Sequence, residues 1–131
     1  MALIAPHVGE NVLLGRMLNG ISTDKVFLFK DTVTIDDDTV LVDLGEIPAG
    51  SGAPGPTTLS SAWTISTGLA TYNGGTAVDF NFTLGAGWSV KGYGVKDVSD
   101  NLLWAENFSS GPFSIGTGGG TISVVLKITL D

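Results

Sequence analysis

Apolar residues in this chain recur with two different periods. Across residues 8–21, "VGENVLLGRMLNGI", Val8, Val12, Leu14, Met17, Leu18 and Ile21 are spaced as on one face of a helix. Gly9 and Gly15 weaken that pattern, and Asn19-Gly20 reads as a stop. The spacing predicts a short amphipathic helix, or an arm that binds a partner, within an N-terminal segment 1–24. Val12, Leu14, Met17 and Leu18 are its candidate contact residues.

From residue 25 onward the pattern shortens. "KVFLFK" (25–30) and "TVLVDL" (39–44) predict strands, with the acidic turn "DTVTIDDD" between them. "GEIPAGSGAPGPT" (45–57) holds three of the five prolines and four glycines, which suits a loop or linker. "AWTIS" and "LATY" predict short strands broken at Thr67-Gly68. In "TAVDFNFTL", Val78, Phe80, Phe82 and Leu84 share one face while Asp79, Asn81 and Thr83 share the other. "TISVVLKITL" alternates likewise through Ile122, Val124, Leu126, Ile128 and Leu130, and "SSGPFSIGTGGG" before it reads as loop. Some eight short strands with regular turn signals predict an all-β sandwich or barrel over 25–131.

"GWSVKGYGVKD" and "NLLWAENF" flank "DVSD" (97–100), which predicts a hairpin with a four-residue loop. Lys96 then opposes Asn101, Val95 faces Leu102, Tyr93 faces Trp104, and Lys91 faces Glu106. On this reading Glu106 is half of a structural ion pair with Lys91 and needs no chemistry. The reverse face carries Gly92, Gly94 and Ala105. Small residues there would let another backbone, or a partner, come close.

The 131 residues are 43% hydrophobic and 15% charged, with 19 glycines, which suits one turn-rich β domain. Net charge is −7 with 6 basic residues that do not cluster, so neither nucleic acid nor an anionic membrane is an expected partner. There is no cysteine, hence no disulfide, thiolate nucleophile or Cys-based metal site. The N-terminus lacks a basic segment followed by an apolar run, so it is not expected to be a signal peptide.

Candidate chemistry is thin. The single histidine, His7, has no motif that would place it in a triad and reads as a solvated tail residue. Asp36, Asp37 and Asp38 do not follow a calcium-loop pattern and read as a solvated turn. "GTGGG" (116–120) lacks a lysine and opens onto a strand, unlike a phosphate loop. Trp63, Trp88 and Trp104 could stack sugars, but their apolar contexts favour core packing. The expectation is a non-enzymatic protein without cofactor or metal.

The chain resembles a family of small structural proteins of tailed phages. The matching pieces are "AWTISTGLATYNGGTAVDFNFTL", "VKGYGVKD", "LLWAENF" and "GPFSI…TISVVLKITL", with "NVLLGRMLNGISTDKVFLFKDTVTIDDDTVLVDLGEI" in front. The resemblance implies a jelly-roll or related β-sandwich, often trimeric, on the outer surface of a virion. It implies a capsid cement (decoration) protein that bridges capsomers of the major capsid protein. Residues Val12, Leu14, Met17, Leu18, Gly92, Gly94 and Ala105 then become candidate oligomer or capsid contacts. The "PAGSGAPGP" insert departs from the family pattern. The competing reading is a carbohydrate- or receptor-binding module of a phage tail or fibre, and a hydrolase is the weakest.

Overall fold

The run "VFLF" has no polar face, and the computed structural model gives the reason: the strand is covered on both sides. The structure describes residues 23–66, 69–83 and 87–129. The expected helix or arm at 8–21, with Val12, Leu14, Met17, Leu18 and His7, lies outside the described residues. The all-β class is as expected. The described residues form eleven strands: β1 (Lys25–Phe29), β2 (Thr57–Thr58), β3 (Trp63–Ser66), β4 (Leu69–Tyr72), β5 (Val78–Phe82), β6 (Ser89–Val90), β7 (Gly92–Lys96), β8 (Leu102–Asn107), β9 (Phe113–Ser114), β10 (Gly120–Val124) and β11 (Lys127–Thr129). Three of them, β2, β6 and β9, are two-residue pairings, which leaves eight longer strands.

One sheet has the order β2-β1-β7-β8, with every neighbour antiparallel. A second layer is built on the β3–β4 hairpin, which pairs outward from Ser66 opposite Leu69. The C-terminal strands complete that layer. β11 pairs with β4, the Tyr72 N–H donates to the Leu126 carbonyl, and β10 then pairs with β5 from Val124 opposite Val78. "TISVVLKI" is thus one extended run serving two ladders, and residues 73–77 loop out opposite Val125. Ile122, Val124, Leu126 and Ile128 all point inward, as their alternation predicts.

The main core lies between the two layers. Val26, Leu28, Tyr93 and Val95 from the first meet Trp63, Ala70, Tyr72, Phe80, Phe82 and the C-terminal run from the second. A smaller core, Phe27, Phe29, Leu44 and Ala105, lies on the opposite face of β1, β7 and β8. Val33, Ile35 and Leu41 cover it. Each fully buried phenylalanine there contributes about 1.5–3 kcal/mol of transfer free energy. The first sheet is therefore the middle of three layers. That accounts for the continuous apolar run in β1, since a strand covered twice needs no polar side.

"TVLVDL" is a correction. It forms a single helical turn, α1 (Leu41–Leu44), rather than a strand. The Asp43 carboxylate accepts the Val40 N–H at 3.0 Å, and Gly45 ends the turn with φ of 65°. A helical turn places Leu41 and Leu44 on the small core while Val42 stays 83% exposed. An alternating strand would not bring positions 41 and 44 to one side.

The segment 45–57 is a loop, as expected, but it is packed into the fold rather than a free linker. Ile47 donates its N–H to the Leu28 carbonyl, Gly50 and Ala53 exchange both backbone bonds, and Thr83 donates to the Gly52 carbonyl. Ile47 and Ala53 are buried in the main core. The loop leads directly into β2, which extends the sheet beyond β1. These bonds anchor the loop backbone on its own chain.

Candidate functional site

The β7–β8 hairpin answers the question of Glu106. The loop is three residues long rather than four: the Asp97 N–H donates to the Asn101 carbonyl, and Asp100 closes the turn with φ of 61°. The Asp97 carboxylate accepts the N–H groups of Ser99 and Asn101, each at 2.9 Å. A bulge follows, because Lys96 pairs with Leu102 but Val95 pairs with Trp104. The turn shifts the register by one residue and the bulge by one more. Glu106 therefore lies opposite Tyr93, and the expected Lys91–Glu106 ion pair does not form. The Tyr93 hydroxyl donates to Glu106 Oε2 at 2.8 Å. The bulge also turns Leu102 toward the small core, away from the face that holds Trp104.

Tyr93 is buried and stacks at a tilt on Phe108, with ring centroids 6.0 Å apart. Burial, and then the hydrogen bond and charge of Glu106, push its phenol well above the ordinary tyrosine range. The group is held neutral as a donor and is unsuited to act as a base near neutral pH.

Both strands beside this pair are edges. β8 ends its sheet and β11 ends its ladder, with no strand on their outer sides among the described residues. Trp104, Ala105 and Glu106 of β8 and Lys127, Ile128 and Thr129 of β11 line a common cleft of about 60 Å³, with Tyr93 beside them. Glu106 also borders a wider recess of about 490 Å³ shared with Val33, Thr34, Ile35, Asn107 and Ser109. Further along the same edges, Phe108 and Phe113 face Thr121, Ile122 and Ser123 of β10 across a recess of about 390 Å³. The cleft offers a carboxylate, an ammonium, a hydroxyl and strand edges. That chemistry suits recognition of another surface through backbone hydrogen bonds and side-chain pockets.

The other candidate contacts, Gly92, Gly94 and Ala105, are corrected. All three are buried. Phe29 opposes Gly92 and Phe27 opposes Gly94 in the β1–β7 register. A Cβ on Gly92 would collide with Phe29 Cζ and the Glu106 carbonyl, and one on Gly94 would lie 2.6 Å from Phe27 Cζ. Another group does approach the glycines closely, as their size predicts, but it comes from this chain rather than from a partner.

A second polar group went unread in the sequence. Lys96 is 8% exposed and its ammonium lies 2.7 Å from Glu46 Oε1 and 3.0 Å from Asp100 Oδ1. It also stands 5.9 Å from the centre of the Phe27 ring. Burial works against the charge, but the bonds and charges of Glu46 and Asp100 outweigh it and raise the lysine above its ordinary range. This cluster ties the proline-rich loop to the hairpin turn. Its signal was the bulge, which cannot be read from alternation alone.

Asp36 closes its own turn by accepting the Asp38 N–H at 3.1 Å and the Thr39 hydroxyl at 3.0 Å. Trp63 is buried, and the half-buried Trp88 and Trp104 pack against the main core, as their apolar contexts predict. Comparison with protein-family models, curated proteins and solved structures found no match to this chain.

Proposed function

We propose that this chain is a non-enzymatic structural protein of a virion, a capsid cement (decoration) protein. In this reading it sits on the outer capsid surface as a homotrimer and bridges neighbouring capsomers of the major capsid protein. The observation that carries the reading is the pair of edges, β8 and β11, which line one cleft and have no outer strand among the described residues. Six residues of β8 carry a single charge, Glu106, whereas natural edges are usually guarded by charge, proline or short length. An unguarded edge suits addition of a strand or loop from a neighbouring protein. The resemblance of "LLWAENF" and "TISVVLKITL" to phage structural proteins supports the same reading. Many copies around a shell would make weak contacts effective through avidity.

The test compares particles with and without the protein under heat and low salt. Greater survival of decorated particles, and protein located between capsomers, is the expected result. Equal survival, with the protein located on the tail, would replace this reading with the tail-module alternative. Light scattering of the free protein should report three chains.

A further inference from the structure

The outer face of β5 and β10 carries polar residues in facing pairs. Thr121 Oγ1 donates to Asn81 Oδ1 at 2.8 Å, and Ser123 Oγ donates to Asp79 Oδ1 at 2.6 Å. These bonds fix the four side chains without exhausting them. Asn81 keeps two N–H donors, Asp79 keeps its second carboxylate oxygen, and both hydroxyls keep acceptor lone pairs. Beside β10 stands an aromatic corner, made of Phe108 just after β8 and Phe113 of β9. Phe113 is 39% exposed and meets Phe108 edge to face, with centroids 5.3 Å apart at 61°. The corner and the hydroxyls of Thr121 and Ser123 line one open recess of about 390 Å³, within the range of small-ligand sites.

We infer that this recess binds a neutral hexopyranose unit of a glycan. A pyranose has an apolar C–H face and a rim of hydroxyls that both donate and accept. An aromatic face alone would suit any apolar group, and a polar ladder alone would suit water. Their combination in one recess matches a ring that is apolar on its face and polar at its edge. The net charge of −7, with the Asp79 carboxylate bonded to the lining Ser123, disfavours uronic and sialic acids. Phenylalanine supplies a smaller stacking surface than tryptophan, and the recess is open, so the affinity for a single sugar is weak. The site lies apart from the Tyr93–Glu106 cleft, and the inference holds whether or not the cement reading does.

The test is an amide-resolved NMR titration of the full chain with the methyl glycosides of glucose, galactose and mannose, and with glucuronate. At least one neutral glycoside should give saturable shifts at Phe108, Phe113, Thr121 and Ser123, with a millimolar Kd, on the order of 1–50 mM. Phe113→Ala and Ser123→Ala should each weaken that binding about tenfold or more. Should Phe113→Ala unfold, Thr121→Ala on the solvent face provides the same reading. Absence of saturable shifts with every neutral glycoside, shifts located elsewhere, binding unchanged by the substitutions, or glucuronate binding as tightly as the neutral sugars would each overturn the inference.

Discussion

The Tyr93 hydroxyl donates to the Glu106 carboxylate at 2.8 Å, across a pair of strands whose opposed residues are these same two. The bond links the sheet interior to the edge cleft. Tyr93→Phe should cost about 1–2 kcal/mol, since a hydrogen bond to a charged acceptor is lost while the ring stays packed. Glu106→Gln retains an acceptor and should cost less than about 1 kcal/mol. A double-mutant cycle by urea denaturation should show coupling between the two positions. Additive losses would mean that the bond contributes nothing to stability.

Lys96 should behave as a buried cation. Lys96→Met leaves the Glu46 carboxylate beside apolar surface and should cost about 2–4 kcal/mol. Replacing both partners, Lys96→Met with Glu46→Leu, should recover at least half of that loss, because the charge without a partner is the main penalty. Thermal unfolding of the two variants decides the matter. A double variant as unstable as the single one would point to lost packing instead.

Alkaline pH should destabilise the fold through two groups with the same sign. Lys96 and Tyr93 both have folded-state values raised above their ordinary ones. Each binds its proton more tightly when folded, so its contribution is full below the unfolded value, near 10 for both. That contribution is lost as pH rises from there through the folded value. Denaturant midpoints should therefore fall above about pH 10, and less steeply in Tyr93→Phe. An identical slope in that variant would remove Tyr93 from the account.

Gly94→Ala should destabilise by about 1–3 kcal/mol, because the added methyl meets the Phe27 ring in a filled core. Pairing it with Phe27→Leu should make the two changes less than additive. Strict additivity, measured by urea midpoints, would refute the contact.

Alternation was enough to place Phe80, Phe82, Ile122, Val124 and Ile128 in the core, since a period of two determines facing whichever strand is the neighbour. It also put Tyr93, Val95, Trp104 and Glu106 on one face of the hairpin. The register error was two residues, and an even shift preserves facing. What failed was pairing, because a three-residue turn and a bulge each add one residue and neither leaves a clear mark in the pattern. Glu106 accordingly takes Tyr93 as its partner instead of Lys91. "TVLVDL" misled because β-branched residues favour strands locally, while Asp43 and Gly45 close a helical turn that buries Leu41 and Leu44. The glycines of β7 were read as an invitation to a partner, and only the β1–β7 register shows that Phe27 and Phe29 fill the space.

The excursion of residues 73–77 from the long C-terminal ladder makes the molecule extensible at one spot. The chain leaves its ladder at Tyr72 and rejoins it at Val78, so the registers on either side are set independently of what lies between. A Cβ on Gly74 would meet nothing within 4 Å. A foreign peptide spliced in at Gly74 would lengthen a surface loop, at an entropic cost that grows only slowly with length. The scaffold can therefore carry a guest sequence on its surface, with the sheets beneath unaltered.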